Sequence, residues 1–413
     1  MDEQFFTHEF DNGLTLVAQR MPQVSSSALT CAVPAGASHD PSGAAGAASV
    51  GRSWLFRGAG DRDTRALHDA LDALGCQHHE SVRSSHLLLS ASMLGMNLSE
   101  ALGLYADILR RPRLPEEGFE PCRDLAAQAL EALEDEPMQL CNLLIREKFY
   151  PPPLGRNPLG RAEALATIRA DGLGEHLRRH LTPVGTILAV AGAFDWNVLR
   201  QVVGDLLADW RGEPAPAVAT GTAAGGRTHV TKPTAQAQIT LAYAAPTAAD
   251  PGYYAARVGQ MVLSGGMSSR LFTEVREKRS LVYAVQARYH SLKTRAGIFV
   301  YAGTTPARAA ETTEVVVGEL RKLPEGVGED ELARARTQLK SALVMQGEST
   351  SARADALAQD WHHLRRLRSL SEIAGAIDAV TVEDVLEGAR SHPAEELTML
   401  TIGPEPIGGG AGA

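Results

Sequence analysis

Gly265-Gly266-Met267-Ser268-Ser269-Arg270-Leu271-Phe272-Thr273-Glu274-Val275-Arg276-Glu277-Lys278-Arg279-Ser280-Leu281-Val282-Tyr283 is the stretch whose reading decides the fold of this chain. The paired glycines mark a turn. The charged run after them has the composition of an exposed helix, and Leu281-Val282-Tyr283 opens a strand. No Gly-Lys-Ser/Thr follows the glycines, so they do not make a phosphate loop. On residue types alone the charges are a solvated face and Tyr283 is ordinary core.

A second stretch has an ordered frame with its chemistry missing. In Gly46-Ala47-Ala48-Ser49-Val50-Gly51-Arg52-Ser53-Trp54-Leu55-Phe56-Arg57-Gly58 a run of small residues leads into a helix that ends on Leu-Phe-Arg-Gly. Positions 49 and 53 are one helical turn apart, the spacing at which two imidazoles grip one Zn²⁺. Serine hydroxyls are poor zinc ligands at neutral pH. Arg52 cannot accept a proton, and its fixed charge opposes a dication.

Together these stretches resemble the pitrilysin/insulinase metallopeptidases, the inverted zincins. In that family the first stretch carries H-x-x-E-H, and the glutamate that completes the ligand set follows about 76 residues after the second histidine. Counting 76 from Ser53 reaches Ala129, ahead of the acidic turn Glu134-Asp135-Glu136-Pro137. All four chemical positions are therefore changed: Ser49, Arg52, Ser53 and Ala129. The family's supporting glutamate aligns with Cys122. The second stretch matches the family's second-domain signature nearly residue for residue. The resemblance implies that Arg276 holds the substrate backbone and that Tyr283 donates a hydrogen bond to the oxyanion formed at the scissile carbonyl.

Length and repetition support a duplicated architecture. A chain of 413 residues exceeds one typical core and divides naturally in two. Leu114-Pro115-Glu116 recurs as Leu323-Pro324-Glu325, 209 residues later, and strand-like His86–Met93 and Gly297–Ala302 precede the two copies. A long helical run follows each, Phe119–Leu133 and Asp330–Val344. Such a period means two homologous domains and not a solenoid. Arg211–Arg227, rich in Pro, Gly, Ala and Thr, reads as a flexible linker. The expected division is a first domain over 1–210, the linker over 211–227, a second domain over 228–405 and a disordered tail over 406–413. Thr186–Ala191 reads as a closing strand and Gln238–Tyr243 as an opening one. Phe10–Val17 reads as a hairpin with Asn12-Gly13 at its turn. The fold class the resemblance implies is α+β: each domain a mixed or largely antiparallel sheet with helices packed on one side, the pair forming half of a clamshell.

Net charge is −9, from 40 basic and 49 acidic residues, with no basic block interleaved with aromatics, which argues against nucleic acid. No apolar run reaches a transmembrane span, and Met1-Asp2-Glu3-Gln4 lacks the start of a signal peptide, so neither membrane nor secretion is expected. Cys31, Cys76, Cys122 and Cys141 are scattered without C-x-x-C, which suits reduced thiols and a cytoplasmic location. His176 and His180 lie four apart on a helix, but two ligands without a third make no metal site. His78, His79, Glu80 and His86, and the pair His362-His363, are weaker candidates still.

Some bacterial relatives of this length work as heterodimers in which one subunit carries H-x-x-E-H and the other the Arg/Tyr pair. The resemblance therefore implies the zinc-free subunit of a heterodimeric zinc peptidase, inactive alone, with Arg276 and Tyr283 as its site residues. It implies no metal and no cofactor on this chain, zinc on the homologous partner, and unfolded peptides as substrates. Two other classes share the fold: a catalytically inactive scaffold, like the core subunits of respiratory complexes, and a peptide-binding homodimer.

Overall fold

Continuous burial along the central strands sets the architecture: Ile187–Gly192 in one sheet and Ala296–Thr304 in the other are buried at every position, so each sheet needs cover on both faces. The structure, a computed structural model, describes residues 3–407; of the expected tail, 408–413 lie outside the described residues. Two compact units form, each from three segments. The first gathers the chain up to Ala132, Arg156–Thr220 and Gln346–Arg368. The second gathers Leu133–Gly155, Gly221–Met345 and the chain from Ser369. Neither the linker nor the internal repeat discloses the two exchanged segments. No helix or strand occurs between Leu207 and Arg227.

The first unit holds a mixed sheet of six strands, β1 (Gln4–Glu9), β2 (Thr15–Arg20), β3 (Ser26–Val33), β6 (Gln77–Val82), β7 (Leu87–Leu94) and β8 (Ile187–Gly192). A two-residue hairpin, β4 (Gly58–Ala59) with β5 (Arg62–Asp63), stands apart from it. Strand order is β1-β2-β8-β3-β7-β6, with β2 and β8 parallel and every other pair antiparallel. The turn from β1 to β2 is built as its residues dictate. Gly13 takes φ +89°, and the Asn12 side chain donates to the carbonyl of Leu207 at 2.7 Å.

The second unit holds β9 (Arg227–Thr231), β10 (Ala237–Ala245), β11 (Val282–Ser291), β12 (Ala296–Thr304) and β13 (Thr398–Gly403). Its order, β9-β13-β10-β12-β11, repeats β2-β8-β3-β7-β6 strand for strand, and β9/β13 is again the parallel pair. β7 begins at Leu87 and β12 at Ala296, an offset of 209 residues, so the repeat read in the sequence is a repeat of topology. The edge strand β11 in one unit corresponds to β6 in the other.

Most helices cover one face of each sheet. In the first unit Leu16, Leu29, Val33, Leu87, Leu89 and Val190 point into that core with Val50, Leu67, Tyr105 and Leu199 of the covering helices. The opposite face is not bare, which departs from the expectation of helices on one side only. Val17, Ala28, Ala32, Ile187, Ala189 and Ala191 pack there against Ala354, Leu357, Ala358 and Trp361 of the helix Thr350–Leu364. The strand alanines leave the room that Leu357 and Trp361 fill, and burying such side chains contributes about 1.5–3 kcal/mol each. Polar contacts fix the helix in place: Arg353 Nε donates to Gln19 Oε1 at 2.6 Å, and Arg83 Nη2 meets both Asp355 oxygens at 2.9 Å.

In the second unit the helix Pro137–Phe149 occupies the equivalent place. Each sheet therefore owes one cover helix to the other half of the sequence. Phe149 lies directly over Gly297 of β12 and stands edge-on to Phe299, ring centres 5.2 Å apart. A Cβ at Gly297 would come within 2.6 Å of the Phe149 ring and 2.9 Å of the Tyr243 carbonyl oxygen. Among the described residues no helix is long and apolar enough to cross a membrane.

Gly297→Ala should cost about 1–3 kcal/mol of stability by overpacking beneath this helix. Pairing it with Phe149→Leu should recover part of the loss in urea denaturation. Strict additivity of the two changes would show that Phe149 does not hold the helix through this contact.

Candidate functional site

The charged string that follows Gly265-Gly266 forms a π-helical turn, Phe272–Glu277, and then a tight reversal into β11. Lys278 N–H donates to Thr273 O at 2.9 Å, Ser280 N–H to Arg276 O at 3.0 Å and Leu281 N–H to Val275 O at 3.0 Å, winding the reversal shut. Ser280 sits at φ +50°, in the left-handed region, at a cost of about 1–2 kcal/mol. Arg308 donates to the Ser280 carbonyl and secures it. The register of β11 against β12 slips between Val282 and Ala284. Tyr283 is thus the extra residue of a bulge, pushed outward on an edge strand and 63% exposed. Sequence reading could not foresee this: Leu-Val-Tyr alternation alone does not reveal a bulge.

Commitment of the charges in this segment is uneven. Arg270 makes a bidentate pair with Glu331, both contacts 2.7 Å, and Glu274 binds Lys278 at 2.6 Å and Arg279 at 2.8 Å. Those partners hold the Glu274 and Glu331 carboxyls below their ordinary range. Among the described residues neither Arg276 nor the adjacent Glu277 has an ion-pair partner; the Arg276 guanidinium carbon rests 5.0 Å from the centre of the Phe272 ring. The Tyr283 hydroxyl makes no hydrogen bond among the described residues.

In the first unit the frame at residues 46–58 is the helix Ala47–Trp54. Gly46 enters it at φ +104°, and Asp40 caps it from outside, its carboxylate accepting the N–H groups of Gly46 at 2.7 Å and Ala48 at 2.8 Å. Burial raises the Asp40 carboxyl to about 6 despite those bonds. Ser49 is fully buried and its hydroxyl has no partner among the described residues. Arg52 Nη1 donates to the Glu80 carbonyl of β6 at 3.0 Å. This helix packs against the helix Phe119–Ala132, which carries Ala129. On that second helix Cys122 accepts a hydrogen bond from Arg57 Nε at 3.3 Å.

Comparison with known proteins agrees with this duplicated fold. The family model for insulinase, peptidase family M16, matches residues 15–160, and the model for the peptidase M16 inactive domain matches residues 167–339. The chain belongs to the insulinase family. An uncharacterized zinc protease of Mycobacterium tuberculosis is 29% identical over 401 residues, spanning 95% of this chain and 91% of the relative. A peptidase M16 inactive domain from Pseudomonas fluorescens superposes with a TM-score of 0.86 at 20% identity, covering 98% of each chain. A protease from Helicobacter pylori does so with a TM-score of 0.90 at 18% identity, covering 97% of this chain and 100% of its own. The two superpositions speak for the fold.

Zinc, which the insulinase family implies, does not fit the residues present here. Ser49 offers a shielded hydroxyl, Arg52 puts a cation where the family has its base, and Ala129 has no donor. Among the described residues no group of three or more His, Cys, Asp or Glu is placed to hold a metal ion. The four cysteines are buried and unpaired.

His176 and His180, four apart on the helix Ala170–His180, do come together, with ring centres 4.1 Å apart, and His39 stands 5.5 Å from His180. His180 Nδ1 is bonded to the His176 carbonyl at 2.9 Å. Burial, and secondarily the charges of the neighbouring histidines, lower His39 and His176 to about 4; His180 is lowered by burial, reinforced by Arg179. The cluster is neutral at pH 7 and packs with its rings tilted and edge-on to one another.

Two predictions follow from this geometry. The unfolded chain binds protons at His39 and His176 below about pH 6.5 while the folded chain resists them down to about 4, so their contribution to stability is lost as pH falls through that window. Asp40 acts with the opposite sign in an overlapping window, so the comparison is between variants that share it. His39→Asn with His176→Gln should flatten the fall of the urea midpoint between pH 7 and 4.5, and an unchanged slope would remove the histidines as its cause. Separately, the dialysed chain should hold no stoichiometric zinc. Ser49→His, Arg52→Glu, Ser53→His and Ala129→Glu together should give binding by calorimetric titration. Affinity no better than the unmodified chain would mean the helix has been repacked beyond the family frame.

Proposed function

We propose that this chain is the zinc-free subunit of a heterodimeric zinc peptidase, supplying Arg276 and Tyr283 in trans to a homologous subunit that carries H-x-x-E-H. The observation that carries the reading is selective freedom. Arg270, Glu274, Lys278 and Arg279 are tied into ion pairs, whereas Arg276 and Tyr283, with the neighbouring carboxylate Glu277, are exposed and make no hydrogen bond or ion pair among the described residues, on a turn held by backbone bonds and a left-handed serine. A fold that spends strain to present two unused donors is suited to receive a ligand.

In this reading the metal of the partner supplies the activated water, and the residues of this chain do the rest of the positioning. Arg276 swings from the Phe272 ring to hold a backbone carbonyl of an extended peptide. Tyr283 O–H donates to the oxyanion as the scissile carbonyl becomes tetrahedral, where a fixed donor is worth most because charge develops there. The substrates are unfolded peptides, whose backbone is accessible to both groups. Four unpaired, buried thiols agree with a cytoplasmic setting.

The test is co-expression with a family member of similar length bearing H-x-x-E-H, followed by peptide hydrolysis. Tyr283→Phe should leave assembly and zinc content intact and lower kcat about ten- to a thousandfold. Arg276→Ala should place a larger share of its loss in KM. If the double variant leaves kcat/KM of the complex unchanged, the contribution in trans is refuted and the inactive scaffold becomes the better account.

A further inference from the structure

The cover helix Pro137–Phe149 of the second unit carries a charge that the fold leaves unanswered. Arg146 is half-buried, its guanidinium carbon 5.7 Å from the centre of the Phe299 ring. Its Nε is shielded from solvent and has no hydrogen-bond partner. Among the described residues no carboxylate pairs with it. Burial pushes Arg146 below its ordinary range; the Tyr150 hydroxyl opposes this, and a second cation, Arg288 of β11, adds to it. Arg288 is the cross-strand partner of Phe299, the ring that Arg146 covers. Arg288 is exposed and uses only Nε, donating to Gln286 Oε1 at 3.1 Å.

Aromatic groups wall the place. Tyr150 is buried, and its hydroxyl lies 2.9 Å from His290 Nδ1 and 3.0 Å from the His290 carbonyl. Tyr150 and Phe299 have ring centres 5.8 Å apart. An arginine stays charged at any pH a protein meets, so a half-buried guanidinium facing another cation is an unfavourable pair without a counter-ion. Planar forks of N–H donors match oxyanions in two-point geometry, and desolvation by aromatic walls strengthens such bonds.

We propose that Arg146 and Arg288 form an oxyanion-binding site on the second unit, taking a carboxylate or phosphate group between their guanidinium groups. The site lies apart from Arg276 and Tyr283 in sequence and uses none of their atoms, so it does not depend on the peptidase reading. Two sources share this chemistry: inorganic phosphate and the terminal carboxylate of a peptide.

Thermal unfolding of the full chain at constant ionic strength tests it. Increasing phosphate, or a short peptide with a free C-terminus, should raise Tm progressively, as ligand binding to the folded state requires. The C-terminally amidated peptide should do nothing, and whichever anion saturates at lower concentration identifies the source. Arg146→Met and Arg288→Gln should each abolish the response. Without anion, Arg146→Met should be as stable as the parent or more so, since it keeps the apolar stem against Phe299 and removes an unpaired charge. A lower Tm for that variant in the absence of anion would make Arg146 a structural residue and overturn the proposal. So would an equal response in the variants, or no response of the parent to either anion.

Discussion

Two-sided burial of the sheets is the constraint on which the rest of the structure depends. A sheet with apolar residues on both faces needs cover on both, and each half of the sequence supplies its own sheet with helices for one face only. The deficit is met by exchange. The helix Thr350–Leu364 closes the first sheet and Pro137–Phe149 closes the second, so neither half contains all the residues of its own unit. The two closures use different shapes for one purpose. In the first, alanines on β3 and β8 recede to admit Leu357 and Trp361; in the second, a single glycine on β12 admits Phe149.

The helix Ala47–Trp54 shows how a reactive site can be emptied without loss of the element that bore it. What holds this helix is independent of any ligand: the Asp40 cap, the left-handed Gly46 and the close approach of Leu177 to Gly51, where a Cβ would stand 2.8 Å from a Leu177 methyl. The changed positions have taken up other bonds. Arg52 reaches the carbonyl of Glu80, and Cys122 receives Arg57. Among the described residues Ser49 Oγ and Arg52 Nε remain buried without a partner, at a cost of about 1–3 kcal/mol for each such polar group.

What was legible in the sequence follows from what is local. The hairpin at Asn12-Gly13, the helix Phe119–Ala132 and the strand β8 are encoded in turn chemistry and apolar period, and lie within a residue or two of where those signals put them. The duplication was legible because the same string recurs at one offset. The exchanged helices were not: Pro137–Phe149 has an ordinary helical pattern, and nothing in it names the sheet it covers. The bulge at Tyr283 was hidden for a related reason, since register belongs to a pair of strands and one sequence shows only one of them. The charge state of the histidine cluster was equally out of reach, because His39 lies far along the chain from His176 and His180.

Two arginines without carboxylates, Arg276 and Arg146, show how burial changes the meaning of one chemical fact. Arg276 is exposed, and water already satisfies its guanidinium; its freedom costs the fold little, and the strain lies instead in the serine that shapes its turn. Arg146 is half-buried, and its Nε is shielded from bulk solvent with no protein acceptor among the described residues. Replacing it by an apolar residue would relieve the fold, so packing alone gives no reason to keep an arginine there. An exposed free donor is available to a ligand, whereas a shielded one is incomplete without a ligand. For that reason the Arg146 site is the more demanding of the two, and the turn that carries Tyr283 the more permissive.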